Sequence, residues 1–178
     1  MQGGVLSPHF FNIYVDGFSD RLNKSCKGCV INNVPINHLM YADETVLLAP
    51  SASALQHLIL VCEEYVDECD IIFNVKKSVY MCVQPKGCNL TIPKIALNDR
   101  YIKLIHVYKY LGVIMCSSGK DDDAISSQIR RLYSRGNTLI KNFSNCSDDV
   151  KCQLFKTYCT SFYGCNLWCN YSTEIRRR

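Results

Sequence analysis

The stretch His38-Leu39-Met40-Tyr41-Ala42-Asp43-Glu44-Thr45-Val46-Leu47-Leu48-Ala49 places two adjacent acids between two apolar runs. Residues 39–41 and 45–49 are apolar or favour strands, so the stretch predicts a hairpin with the acids at its tip. Two carboxylates are costly to bury unless a cation or hydrogen-bond donors satisfy them. Because divalent metals prefer carboxylate oxygens, the pair Asp43-Glu44 predicts a metal site, and the alternative is a solvated turn.

Length and composition indicate a packed protein. The chain has 178 residues, of which 48% are hydrophobic, enough for one domain or for a compact core with a small appendage. No apolar run approaches the roughly 20 residues of a membrane span, and the N-terminal residues lack the pattern of a signal peptide. We therefore expect no membrane association and a protein of the cytoplasm or nucleus, not a secreted one.

Twelve cysteines are many for a chain of this length. Most of them lie in periodic apolar segments, where reduced thiols act as small buried hydrophobes. Cys26 and Cys29 form half of a zinc-binding pattern, but no second half completes it at a suitable spacing. The sequence favours structural cysteines over a zinc site.

Charge is distributed unevenly along the chain. Residues 1–70 contain 3 Lys and Arg against 9 Asp and Glu, whereas residues 71–178 contain 17 against 7. An acidic first part and a basic second part are typical of a protein that binds a polyanion and has a metal-binding end. Ordinary solvated surface is the alternative interpretation.

Helical spacing of apolar residues predicts four helices. The first follows Pro8 and has one wide apolar face, which consists of Phe10, Phe11, Tyr14, Phe18 and Leu22. The second spans Ser53–Asp70, begins at a capping Ser51 or Ser53, and is predicted to pack Leu55, Ile59, Cys62 and Val66 on the sheet that carries Asp43. The third starts at Asp121–Asp123 with an apolar stripe from Ile125 to Phe143, and the fourth starts after Ser147.

Strands are predicted around several turn signals. A hairpin over residues 30–36 is expected to turn at Asn32-Asn33, and residues 92–97 and 101–105 are expected to flank a turn at Asn98-Asp99. Further strands are predicted over residues 71–73, 79–83 and 108–115. Gly112 inside the last of these indicates a bulge or a close approach of another backbone.

Four segments in this order resemble the reverse transcriptase of non-LTR (LINE-type) retrotransposons. Gln2-Gly3-Gly4-Val5-Leu6-Ser7-Pro8 with Phe10-Phe11-Asn12-Ile13-Tyr14 resembles the Q-G-x-x-L-S-P-x-L-F-N-x-Y motif, and Tyr41-Ala42-Asp43-Glu44 resembles the Y/F-A-D-D box. Residues 73–78 resemble the N-x-x-K-T segment and residues 110–113 the Y-L-G motif. The resemblance covers residues 2 to about 115, and the helical remainder resembles the family's thumb more weakly.

The resemblance implies a role for each matching residue. Gln2 and Gly3 would line the pocket for the templating base and the incoming deoxynucleotide, and Lys77 would lie near the triphosphate. Asp43 and Glu44 would bind catalytic Mg²⁺, with Mn²⁺ as an alternative metal. Tyr110, Leu111 and Gly112 would form the primer grip. The partners would be an RNA template and a DNA primer, and the basic helix is predicted to contact the nucleic-acid backbone through Arg130, Arg131, Arg135 and Lys141.

Two departures from the family pattern bear on activity. The family has another metal-binding aspartate and its fingers upstream of the Q-G motif, which is where this sequence begins. Glu44 replaces the second aspartate of the box, and its extra methylene displaces the carboxylate beyond the ~0.5 Å tolerance of a catalytic site.

The fold expected is α+β: residues 1–116 as the C-terminal part of a palm, with helices on one face of an antiparallel sheet centred on the Asp43 hairpin, and residues 117–178 as a helical thumb and the start of the connection beyond it. The function expected is an RNA-directed DNA polymerase by descent, with an incomplete metal site and no polymerisation by this chain alone. The alternatives are a non-catalytic nucleic-acid-binding remnant and an unstable relic.

Overall fold

The computed structural model describes residues 6–84, 91–162 and 164–176, so Gln2 and Gly3 lie outside the described residues. The helices are α1 (Ser7–Tyr14), α2 (Asp16–Lys24), α3 (Ala52–Glu68), α4 (Asp122–Asn142), α5 (Asp148–Tyr158) and α6 (Thr173–Arg176), with a 3-10 turn at Cys165–Leu167. The strands are β1 (Cys29–Ile31), β2 (Val34–Ile36), β3 (His38–Tyr41), β4 (Glu44–Leu47), β5 (Val79–Tyr80), β6 (Ala96–Leu97), β7 (Arg100–Tyr101), β8 (Lys103–Leu104), β9 (Val107–Tyr110) and β10 (Val113–Cys116). Within these residues, none of the helices combines the length and apolar character needed to cross a membrane.

The strands pair two by two. Four pairs are antiparallel hairpins, and the fifth, β5 with β8, is parallel. The prediction of one antiparallel sheet centred on the Asp43 hairpin is therefore wrong for the described strands. Short strands joined by two-residue turns close at low entropic cost, and apolar alternation does not specify any more distant partner. The architecture is mixed α and β, with short sheets followed by C-terminal helices.

Tight turns join the hairpin strands. Asn32 and Asn33, and likewise Asn98 and Asp99, have φ between 50° and 63°, which confirms the turns predicted at both places. Leu111 and Gly112 form a third such turn, with φ of 45° and 89°. The prediction of a bulge or close approach at Gly112 is wrong, since residues 107–116 fold into a hairpin and a Cβ at Gly112 would meet nothing within 4 Å.

The described chain forms two compact units. The first consists of residues 6–80 and 91–104, and its core surrounds α3. Ser51 caps this helix by accepting a hydrogen bond from the backbone nitrogen of Ala54 at 3.2 Å.

Two adjoining clusters of apolar side chains cover the buried face of α3. Leu58, Cys62, Tyr65 and Val66 are buried against α2, with Met40 and Leu47 of the Asp43 hairpin packed beside them. Ile59 is buried against the β6–β7 hairpin, and Leu55 is half-buried at the edge of that second cluster. The predicted packing of this helix on the strands that carry Asp43 is confirmed for Cys62 and Val66, whereas Leu55 and Ile59 lie in the second cluster, to which Leu47 of the hairpin also belongs.

The first predicted helix is interrupted at Val15. The carbonyl of Tyr14 accepts a hydrogen bond from the Tyr65 hydroxyl at 3.2 Å, and a new helix starts at Asp16. The predicted single apolar face is therefore only half right. Phe18 and Leu22 of α2, after the break, are buried, whereas Phe10 and Tyr14 of α1, before it, are exposed.

Two strand predictions are also wrong. Residues 71–73 form no strand, although Ile71 and Phe73 still pack on the first cluster. The strand predicted over residues 79–83 is limited to Val79–Tyr80, which pairs with β8.

The second unit contains residues 81–84, 105–162 and 164–176. In it β10 packs on α4, which also contacts α5 and α6. Ile125 and Leu139 of the predicted α4 stripe are buried, but Ile140 and Phe143 are exposed. The predicted boundary between palm and thumb at residue 116 stays a prediction.

Acids at the start of α4 hold the C-terminal segment. One carboxylate oxygen of Asp121 accepts hydrogen bonds from the backbone nitrogens of Cys169 at 2.9 Å and Asn170 at 2.8 Å. Asp122 accepts one from the backbone nitrogen of Ser172 at 2.8 Å. These carboxylates therefore tie down a segment about fifty residues away, in addition to any favourable interaction with the helix dipole.

Candidate functional site

Asp43 lies at the tip of the β3–β4 hairpin. Tyr41 pairs with Glu44, which leaves Ala42 and Asp43 as a two-residue turn. Ala42 has a φ of 50°, a left-handed conformation that costs a non-glycine residue about 1 kcal/mol. The turn exposes Asp43 to solvent, where its carboxylate can either bind a cation or be hydrated.

The two faces of this hairpin differ. Directly paired residues of antiparallel strands share a face, so Met40 and Thr45 lie on one side and Tyr41 and Glu44 on the other. Met40 packs in the first core cluster, whereas Tyr41 is 64% exposed and Glu44 is exposed. Glu44 therefore lies on the solvent face of the strand, and Asp43 extends from the turn itself.

A buried polar network anchors the base of the hairpin. Asn37 is 6% exposed, and its side-chain nitrogen donates a hydrogen bond to the carbonyl of Leu22 at 2.6 Å. Its Oδ1 therefore accepts from Nδ1 of His38 at 2.6 Å, which leaves Nε2 to accept from the Ser19 hydroxyl at 2.8 Å. The network joins α2 to β3 and fixes where the hairpin leaves the core.

His38 is held in its neutral form. Its burial lowers the pKa of the imidazole below the ordinary value, because the charged ring would lose hydration. Sequence reasoning missed Ser19, Asn37 and His38. A lone histidine and asparagine before an apolar strand carry no pattern that distinguishes them from surface residues.

A second anchor joins α2 to α3. The Arg21 guanidinium donates to both carboxylate oxygens of Glu68, at 2.8 and 2.6 Å, and lies 5.4 Å from the centre of the Tyr65 ring. The hydrogen bonds and charge of Arg21 lower the pKa of Glu68. This bidentate pair links the two helices on which the hairpin rests, at an exposed position where ion pairs add little stability.

Lys77 lies in a tight turn that Asn74 organises. The backbone nitrogen of Lys77 donates to the carbonyl of Asn74 at 3.0 Å and to its Oδ1 at 3.2 Å. The Lys77 side chain is exposed. Phe73, at the start of this loop, packs in the same cluster as Met40 and Leu47, so the Lys77 turn and the Asp43 hairpin rest on one core.

The Y-L-G segment forms the β9–β10 hairpin of the second unit. Tyr110 ends β9 and pairs with Val113 across the turn, and Leu111 in the turn is 43% exposed. Gly112 supplies the second positive φ that such a turn requires. The turn therefore places the apolar side chain of Leu111 at the exposed tip of the hairpin.

Four cations lie on the exposed surface of α4: Arg130, Arg131, Arg135 and Lys141. With 3.6 residues per turn, their side chains fall within an arc of about 140° around the helix. Neither of the two ion pairs found among the described residues involves any of them. This basic face, named here the α4 face, has the charge and exposure required to contact phosphates.

Metal ligands are incomplete in the described part of the chain. Asp43 in the turn and Glu44 at the start of β4 provide two carboxylates from one hairpin, so the prediction that both acids lie at the tip holds only for Asp43. Residues 6–84, 91–162 and 164–176 contain no group of three or more His, Cys, Asp or Glu side chains close enough to hold an ion. Cys26 and Cys29 belong to no such group, and neither forms a disulfide bond.

Comparison with known proteins identifies the family. A sequence profile described as reverse transcriptase (RNA-dependent DNA polymerase) matches residues 1–115 of the 178. Searches among curated proteins and among solved structures found no match. The profile covers all four segments quoted above and well over half of the chain, and so the chain belongs to the reverse transcriptase family.

Proposed function

We propose that the chain contributes the C-terminal part of the palm and the thumb of a non-LTR (LINE-type) retrotransposon reverse transcriptase, with an RNA template and a DNA primer as its partners. The observation that carries this proposal is the Asp43 hairpin, whose acid lies at an exposed tip while its inner face is fixed on α3. Family membership supports nucleic-acid substrates. The non-LTR assignment rests on the four motifs in register, and a nuclear or cytoplasmic location stays a prediction.

Reverse transcriptases typically use Mg²⁺, which activates the primer hydroxyl and stabilises the leaving oxygen. In this chain Asp43 and Glu44 would hold the ion. Their oxygens suit the metal, but two neighbouring carboxylates do not surround two ions, and Glu44 is longer than the aspartate of the family box. We therefore propose weak metal binding and no primer extension by this chain alone.

The roles of the remaining residues are those that the resemblance implies, and the exposure of Lys77 and Leu111 supports them. Lys77, on a turn fixed by Asn74, would contact the triphosphate of a deoxynucleotide, and Tyr110, Leu111 and Gly112 would hold the primer end. The α4 face would contact phosphates of template and primer. Gln2 and Gly3, which lie outside the described residues, would line the pocket for the templating base and the incoming deoxynucleotide.

The test of nucleic-acid binding is a salt titration with a labelled RNA–DNA hybrid. Each phosphate contact contributes roughly 0.9 to the slope of log K against log salt for a B-form duplex, so Arg131→Gln with Arg135→Gln should lower the slope by about two. Lys24→Gln with Lys27→Gln removes the same charge from exposed positions of the first unit and is the matched control. Equal losses in the two double variants, or binding insensitive to salt, would contradict the proposal.

A second candidate function is nucleic-acid binding without catalysis. The exposed α4 face favours it, since this face needs neither Asp43 nor Glu44 to attract phosphates. Binding that is unchanged by Asp43→Ala, together with no extension under any metal, would favour this candidate. Extension that depends on Asp43 would favour an active polymerase.

A further inference from the structure

An open depression of about 500 Å³ lies on the first unit, and its lining includes neither Asp43 nor Glu44. Residues 72–76 form one wall, and Asn98 and Arg100 form the other. The lining contains two cations, Lys76 and Arg100, and two side-chain amides, Asn74 and Asn98. Cations and amides are the groups that contact phosphate oxygens in nucleic-acid complexes.

Both walls are held in place by hydrogen bonds. In the first wall, the carbonyl of Asn74 accepts from the backbone nitrogens of Lys77 and Ser78, each at 3.0 Å. In the second, the backbone nitrogen of Asn98 donates to Glu63 Oε1 of α3 at 2.5 Å, and the turn at Asn98-Asp99 leads directly into Arg100. The two cations are therefore presented from fixed backbone, which reduces the entropy lost on binding.

The cations of the depression are available to a ligand. Lys76 and Arg100 are exposed, and neither takes part in the ion pairs found within the described ranges. Asp99 precedes Arg100 in the turn, and Glu63 already accepts the hydrogen bond of the Asn98 backbone nitrogen. The Lys76 and Arg100 charges therefore remain free to attract an anion.

The rim of the depression is apolar on one side. Ile72 is 88% exposed, which is unusual for a large hydrophobic side chain next to two cations. In a single strand the base faces are open to apolar contact, whereas in a duplex they are stacked. The depression is also too open to bury most of a free nucleotide, as small-molecule pockets do.

We propose that this depression binds the phosphate backbone of a single-stranded nucleic acid, with phosphates at Lys76 and Arg100 and a base or sugar against Ile72. This site is separate from the α4 face, and although its first wall overlaps the N-x-x-K-T segment, it uses Lys76 and Arg100, to which the family motifs assign no role. The depression would give the first unit a localised contact for a polyanion, although residues 1–70 of the chain carry a net negative charge.

The test uses the full chain and a labelled oligothymidylate in an anisotropy titration against salt. Each single-strand phosphate contact contributes roughly 0.7 to the salt slope, so Lys76→Gln with Arg100→Gln should lower the slope by about 1.4. The charge-matched control Lys24→Gln with Lys27→Gln should leave it nearly unchanged. Ile72→Ala should weaken binding several-fold without changing the slope, because it removes an apolar contact and no charge.

Three outcomes would overturn the proposal. Equal slopes for Lys76→Gln with Arg100→Gln and for its control would show that only net charge matters. Displacement of the oligonucleotide by equimolar inorganic tripolyphosphate, abolished in the Lys76 and Arg100 variant, would make the depression a site for a free triphosphate. If only the α4 variant loses slope, nucleic-acid binding as proposed above stands and the depression is not part of it.

Discussion

Leu58→Ala should destabilise the packing of the Asp43 hairpin on α3 more than a substitution of an exposed residue of the same helix does. Leu58 is fully buried in the cluster that also receives Met40 and Leu47 of the hairpin. Replacing a buried leucine with alanine leaves a cavity and typically costs about 3 kcal/mol. Leu60→Ala is the matched control, because Leu60 lies on α3 but is 49% exposed, and its loss costs about 1 kcal/mol or less.

Hydrogen exchange of the α3 backbone amides measures this difference within the first unit. The two variants have the same change in helix propensity, so the expected difference of about 2 kcal/mol reflects burial and corresponds to roughly 30-fold faster exchange in Leu58→Ala. Amides of β3 and β4 should lose protection as well, since Met40 and Leu47 share the cavity. Equal exchange in the two variants would refute the assignment of this helix face to the core.

Three further changes test other parts of the structure. Gly28→Ala should destabilise the first unit by several kcal/mol in a urea titration, because a Cβ there would lie 2.5 Å from the Cβ of Asn37. Gly136→Ala in α4 should instead stabilise by up to about 1 kcal/mol, because its Cβ would lie 3.7 Å from the nearest atom, in the Phe155 ring. A change of the same sign in both variants would contradict the packing. Burial lowers the pKa of His38, so the unfolded chain binds the proton first and the stability should fall as the pH falls below the ordinary histidine pKa. In a plot of the urea midpoint against pH, His38→Gln should remove this decrease. An unchanged plot would argue against a half-buried neutral ring. Asp121→Ala removes a carboxylate that accepts two backbone hydrogen bonds and should speed proteolysis after residue 160, with Asp148→Ala, at an exposed helix start, as the control that should not.

Local patterns in the sequence predicted the parts of the fold that depend on local physics. The three-four spacing of α3 identified its buried face, and the Asn-Asn and Asn-Asp dipeptides identified two turns that need positive φ. The acid pair between apolar runs placed Asp43 at a hairpin tip. Each of these features is set by residues only a few positions apart.

The features that escaped prediction depend on contacts between distant residues. The break at Val15 is stabilised by Tyr65, about fifty residues away, and the parallel pairing of β5 with β8 joins segments separated by the β6–β7 hairpin. Asp121 binds the backbone of Cys169 over a separation of 48 residues. The depression at Lys76 and Arg100 is likewise formed by two loops that no sequence motif connects.

Primer extension on an RNA template shows whether Asp43 and Glu44 support catalysis in this chain. The chain and its Asp43→Ala variant are compared with Mg²⁺ or Mn²⁺ present, and binding of the same template and primer is measured in parallel. The expected result is salt-sensitive binding by both proteins and no extension by either, because Asp43 and Glu44 alone do not complete a two-metal site. Robust extension by the unmodified chain, abolished by Asp43→Ala, would contradict it and show that these two carboxylates suffice for catalysis.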